Sequence, residues 1–218
     1  CEVRVLSQML RDDLELETKL GAAEGAAVWS ALTELRYIFR HALLQDAAYQ
    51  MQLESRLAAL HRLAAGAIEA TYAGDLSPYF ADLVYHYGRA GDTDRERSYA
   101  QKAAVRAAGM YANADAIRYF SRALELTPAD DDRARFDLLH GRVAVYHLPG
   151  DRKAQLADLQ ALEALAARLD IAARALTFTA YADYALETSD YHGLSDYAQQ
   201  AIEAAQAVDD IRLELRGM

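Results

Sequence analysis

Cys1 is the only cysteine in the chain, so neither an internal disulfide nor a paired-cysteine metal site can form. Proline is almost as scarce at three residues, and glycine fills only 11 of 218 positions, which starves turns and strands. Basic residues fall short as well: 23 Lys and Arg against 33 Asp and Glu leave a net charge of -10, divided as -4 through Asp75 and -6 beyond it. Neither part offers the cationic footprint needed to displace counterions from a duplex, which argues against direct nucleic-acid binding and against acidic membrane surfaces. No uninterrupted apolar run approaches the roughly 18 residues of a membrane span. The chain starts without Met, and with neither a charged n-region nor an apolar signal core. The expectation is a cytoplasmic piece of a longer protein.

What abounds is alanine, 46 residues of it, within a composition that is 53% hydrophobic and 26% charged. Alanine is the best helix former, and this balance predicts an all-α protein with a real core. Val3, Val5, Leu6, Met9 and Leu10 keep helical spacing and predict one short helix before Gly21-Ala-Ala-Glu-Gly25 interrupts. Residues 28–39 hold the only dense β-branched and aromatic stretch, which predicts a small hairpin or a single strand. Two helices follow from His41 to Tyr72, and Ser77 before Pro78 is a good start signal for the next.

From Pro78 onward the chain is repetitive. Ala123, Leu162 and Ala201 lie 39 residues apart, as do Gly150-Asp151 and Ser189-Asp190, which precede helices over 153–169 and 192–208. Tyr79–Arg89, Gly91-Asp92 and Arg95–Ala108 carry a similar turn at another offset. A single helix pair cannot bury its own apolar stripe, whereas stacked pairs share a continuous core, so the expected fold is an α-α superhelix. The helical spacing of Tyr119, Phe120, Phe178, Tyr181 and Tyr184 suits inter-helix packing, with stacking on a ligand as the alternative.

The ordering Ala116, Phe120, Ala123, Pro128 (A-x-x-x-F-x-x-A-x-x-x-x-P) resembles the second helix of a tetratricopeptide repeat. The later units are divergent, with 39 rather than about 34 residues each. Such repeats are similar to those that follow the nucleotide-binding switch in bacterial STAND-type signal-transduction ATPases, including large LuxR-like and adenylate-cyclase-linked regulators. Tyr37-Ile-Phe39-Arg-His41, continuing through Gln45-Asp46 to Tyr49 and then Arg56 to His61, looks like the end of the winged-helix domain of that family. The resemblance implies a winged-helix-like remnant over 1–75 and tetratricopeptide-like repeats over 76–218. It implies that His41 senses the nucleotide β-phosphate in the closed parent protein, with Phe39 anchoring the strand. ATP or ADP and Mg would belong to the parent, because G-x-x-x-x-G-K-[ST] is absent here and the fragment itself needs no cofactor.

Other constellations read as structure. Asp12-Asp13, Asp130 to Asp132 and Asp209-Asp210 point in different directions on a helix and suit solvated caps. His140 and His147 lie seven apart and His86 is isolated in sequence, so none has zinc spacing. With no G-x-S-x-G elbow either, no catalytic or metal site is expected. Repeat arithmetic places Ser98, Gln101, Asp137, His140, His147, Thr179 and Asp183 on a concave groove, or else on ordinary solvated surface. Their mixed character suits a neutral or basic partner. Three readings follow: a protein-interaction and sensing region, a small-molecule inducer sensor, or a structural spacer. The helix starting near Ile211 would leave an open stacking face through which copies could self-associate.

Overall fold

A computed structural model describes residues 2–10, 16–26, 28–33, 36–39, 42–146 and 150–207. Among them are eleven α-helices, one turn of 3-10 helix and one two-stranded hairpin. They form two compact units, Cys1–Tyr99 and Ala100–Met218. No described helix is long and apolar enough to cross a membrane.

The first unit opens with α1 (Val3–Met9) and α2 (Leu16–Gly25). Helix α2 runs through Gly21 where an interruption was expected: Ala22, Ala23 and Glu24 favour helix, and it stops at the second glycine, each such residue weakening it by about 1 kcal/mol. Strands β1 (Trp29–Thr33) and β2 (Arg36–Phe39) pair antiparallel, with Trp29 opposite Phe39 and an irregularity between Ala31 and Thr33. Helices α3 (Ala42–Gln50), α4 (Glu54–Thr71) and α5 (Phe80–Ala90) follow. Helix α4 packs on both α1 and α5. Ser77 does not cap the next helix with its side chain. Its amide donates to Asp75 Oδ1 at 2.9 Å, and Ser77–Tyr79 forms a 3-10 turn with Pro78 at its start, so the expected helical start falls here without the expected serine cap.

Helix α6 (Thr93–Gly109) begins within this unit. Tyr99 donates to Glu69 Oε1 at 2.5 Å, Arg95 Nη1 donates to Glu69 Oε2 at 3.3 Å and to the Tyr87 hydroxyl at 2.5 Å, and the Tyr87 and Tyr99 rings stack 5.7 Å apart. Burial first, then Glu69, pushes the Tyr87 pKa up to about 12, so the hydroxyl stays protonated.

The second unit continues with α7 (Asn113–Leu126), α8 (Asp132–Tyr146), α9 (Arg152–Ala166), α10 (Ile171–Glu187) and α11 (Tyr191–Ala207). Each packs on the next, and α8 also meets α10. The 39-residue spacing reappears in the backbone: Tyr111, Gly150 and Ser189 all adopt left-handed φ, at 59°, 72° and 60°. Only glycine takes this conformation without strain, and at Tyr111 and Ser189 the turns are closed by backbone bonds from Ala112 N to Ala107 O at 2.9 Å and from Asp190 N to Ala185 O at 2.8 Å. After Ser189, Asp190 Oδ1 accepts from Gly193 N, and after Gly150, Asp151 Oδ1 accepts from Ala154 N. Ala112 follows Tyr111 and has no such oxygen, so α7 starts without a side-chain cap. The matching positions Ala123, Leu162 and Ala201 are all fully buried. Helix α7 ends where sequence requires, with Thr127 extended before Pro128. Tyr119, Phe120 and Tyr181 are buried between helices as their spacing predicts.

Helix α8 buries residues around much of its circumference, including Phe136, Leu139, Val143 and Val145, because neighbours meet it on several sides. Gly141 is what lets α7 approach it: a Cβ there would lie 2.6 Å from Phe120 Cζ. Arg142 of α8 forms a two-pronged ion pair with Asp158 of α9, both bonds 2.7 Å, and donates to Ser121 Oγ of α7 at 2.7 Å. Their side chains are only 17% and 10% exposed. Burial pulls the Arg142 pKa down, and the hydrogen bonds and charge of Asp158 outweigh it, leaving the guanidinium firmly charged.

Two substitutions test this packing. Asp158→Ala strands the Arg142 charge and is expected to cost about 3 kcal/mol in urea unfolding, whereas Arg142→Met with Asp158→Leu recovers much of it. A loss below about 1 kcal/mol would mean that Arg142 reaches water without its partner. Gly141→Ala is expected to cost about 1–3 kcal/mol by overpacking against Phe120.

Candidate functional site

Helices α8, α9 and α10 enclose a cavity of about 320 Å3, lined by His140, Val143 and Ala144 from α8, Gln155 from α9, and Thr179, Ala180, Asp183, Leu186 and Glu187 from α10. Three residues that repeat arithmetic placed on one groove, His140, Thr179 and Asp183, thus meet here. They lie on α8 and α10, and His140 and Thr179 are 39 positions apart. The same arithmetic missed Gln155 and Glu187. Gln155 is 2% exposed on a second helix, and nothing in its sequence surroundings marks it as inward-facing.

A polar clamp fixes one wall. Arg152 Nη1 donates to Gln155 Oε1 at 2.7 Å and also to Glu187 Oε2, while Gln155 Nε2 donates to Glu187 Oε2 at 3.0 Å. One carboxylate oxygen therefore accepts from two side chains and is held in place between α9 and α10. Thr179 is buried, and its hydroxyl donates to Ala175 O at 2.9 Å. The His140 ring lies parallel to Phe136 with centroids 6.1 Å apart. Asp183 is exposed at the mouth. Among the described residues the lining thus holds two carboxylates and an imidazole, no Lys or Arg, and aliphatic walls. Such a surface attracts hydrogen-bond donors and positive charge.

The other expected site residues lie elsewhere. Asp137 is exposed on α8 and pairs with Arg133 at 3.5 Å. Gln101 is exposed on α6, and Ser98 is exposed in the first unit. His41 and His147 fall outside the described residues, and Phe39 is described only as a β2 residue opposite Trp29. Asp131 acts as the expected cap, accepting from Ala134 N at 3.1 Å, while Asp132 binds Arg168 through two 2.7 Å bonds. Among the described residues no three His, Cys, Asp or Glu side chains converge on a metal position.

His86, isolated in sequence, has a partner in space. Its Nδ1 lies 2.9 Å from Nδ1 of His61, whose Nε2 lies 3.0 Å from the Tyr49 hydroxyl. Arg89 donates to that hydroxyl from Nε at 3.1 Å and Nη2 at 2.6 Å. The group joins α3, α4 and α5, contacts that no local spacing encodes. Burial lowers the pKa of both histidines, and His61 is lowered further by the nearby His86 and Arg89. Comparison with protein-family models and with curated proteins finds no match for the chain.

Because these imidazoles are harder to protonate when folded, the unfolded state binds more protons once pH falls below the ordinary value of 6.5. Their contribution is therefore complete above that pH and lost on acidification. The thermal midpoint is expected to fall from pH 7.5 to 5, and to fall less when His61 and His86 are both replaced by Phe. Equal drops in the two proteins would show that the pair titrates normally.

Proposed function

We propose that this chain is a non-catalytic interaction and sensing region of a STAND-type regulatory ATPase. In this reading a winged-helix-like remnant over 1–75 precedes a tetratricopeptide-like solenoid over 76–218, and the solenoid receives a partner or inducer. The observation that carries the proposal is the α8–α10 cavity, where side chains from successive helical units converge on one acidic, aliphatic-walled space. The recurrence of left-handed turns at Tyr111, Gly150 and Ser189, 39 residues apart, supports a repeat origin for those units. The β1–β2 hairpin followed by α3 and α4 supports a winged-helix origin for the segment that ends with the Phe39 and His41 motif.

On this proposal a basic side chain of a protein partner enters the cavity and bonds to Asp183 and Glu187. The resulting movement of the repeats would shift the winged helix and withdraw His41 from ADP bound elsewhere in the parent, where ATP, ADP and Mg act. A small-molecule inducer is the second reading, and the cavity volume favours it: about 320 Å3 falls within the roughly 300–1,000 Å3 range of ligand pockets. A structural spacer would show no selective ligand at all.

Thermal unfolding against a tri-lysine peptide, 1,5-diaminopentane, ATP and ADP distinguishes these readings. A ligand present at 100 times its dissociation constant should raise the midpoint by about 5–10 °C. The peptide or the diamine is expected to do so, with the shift abolished by Asp183→Lys. A shift produced by nucleotide alone would overturn the proposal, and absence of any shift would favour the spacer.

A further inference from the structure

The first unit holds a cavity of its own, about 440 Å3, lined by Met9, Ala48, Tyr49, Gln52, Arg56, Leu57, Leu60, His61, Ala64 and His86. Its chemistry is the reverse of the α8–α10 cavity: in a chain of net charge -10, no carboxylate among the described residues lines it. Arg56 is exposed at its edge, and its side chain forms no hydrogen bond or ion pair with any described residue. Glu54, the carboxylate that acts electrostatically on Arg89, does not line the cavity.

The hydrogen-bond chain behind this cavity has a fixed direction. Arg89 can only donate, and its two N–H groups occupy both lone pairs of the Tyr49 oxygen. The Tyr49 O–H must then donate to Nε2 of His61. A neutral His61 consequently carries its proton on Nδ1 and donates it to Nδ1 of His86. This leaves His86 with its proton on Nε2, an atom with no hydrogen-bond partner among the described residues. The chain that starts at a fixed cation thus ends as an N–H donor on a ring lining the cavity. Beside it stand the unpaired Arg56 guanidinium and an apolar bed of Met9, Ala48, Leu57, Leu60 and Ala64.

We propose that this cavity is a binding site for an amphipathic organic carboxylate, whose head accepts from Arg56 and His86 while its hydrocarbon body lies on Leu57, Leu60 and Met9. A guanidinium suits a carboxylate because its paired donors match the two oxygens, and the aliphatic bed rewards a chain that acetate lacks. The site is independent of the acidic cavity in the second unit and makes the chain a receiver of two chemically opposite ligands.

Isothermal titration of the whole 218-residue chain with octanoate, octylamine and acetate tests it. Octanoate is expected to bind saturably at one site, with octylamine and acetate giving no saturable heat. Arg56→Ala is expected to weaken octanoate binding about tenfold or more and Arg56→Lys to retain part of it. Because Arg56 is exposed and unpaired, neither change should alter folding. Independently of any ligand, long-range 15N–1H spectra at pH 7.5 should show the proton on Nε2 of His86 and on Nδ1 of His61. The proposal is overturned by the opposite tautomers, by octanoate that fails to saturate at millimolar concentration, by equal binding of octylamine or acetate, or by octanoate affinity unchanged in Arg56→Ala.

Discussion

Alanine at the helix crossings is the constraint on which the molecule depends. Ala65 in the first unit, and Ala104, Ala116, Ala123, Ala173, Ala175 and Ala205 in the second, are wholly or almost wholly buried. Short side chains let backbones approach closely, yet each removes little apolar area from water, at about 25 cal/mol per Å2. Packing of this kind resists separation of the helices better than it resists sliding. Register has to come from elsewhere.

Polar side chains supply it. Ser121, Arg142 and Asp158 join three consecutive helices through directional bonds that a one-turn slip of α8 or α9 would break. Arg152, Gln155 and Glu187 do the same between α9 and α10, and Glu69, Tyr87, Arg95 and Tyr99 bind α4, α5 and the start of α6. A hydrogen bond that must be satisfied once buried is a stronger arbiter of alignment than a methyl contact. The same ties prepare the cavities: the clamp that aligns α9 with α10 immobilises Glu187, and the chain that joins α3, α4 and α5 orients the histidines. Positioning and fold stability are one set of bonds here, so the cavity walls need little reorganisation to receive a ligand.

Much of the helical organisation was legible because it is written locally. Hydrophobic spacing and turn residues placed two helices between His41 and Tyr72 and further helices over 79–89, 95–108, 153–169 and 192–208, within a few residues of those observed, Pro128 set the end of α7, and Asp151 and Asp190 marked helix starts. The hairpin at 29–39 was one of two open alternatives, since a β-rich stretch does not by itself say whether it pairs. Ser77-Pro78 did mark a helical start, but without a serine side-chain cap: the Ser77 amide itself donates to Asp75 and the chain opens as a 3-10 turn before α5. Of the expected groove residues, His140 and Thr179, 39 positions apart, line one cavity together with Asp183, whereas Asp137, one turn earlier on α8, pairs with Arg133.

The sequence by itself determined the helical class, several of the places where helices begin and stop, and the 39-residue rhythm. The first two depend on residues within a few positions of one another, through caps, prolines and the 3.6-residue period of a helix, and the third on one local pattern recurring at a fixed step. Only the tertiary structure decided which polar residues meet. His61 and His86 are 25 residues apart, Tyr49 and Arg89 are 40 apart, and Gln155 and Glu187 are 32 apart. Their contacts follow from how neighbouring helices rotate about their own axes when small residues interlock. That rotation is set by packing on both sides at once and is not encoded in the spacing along either helix.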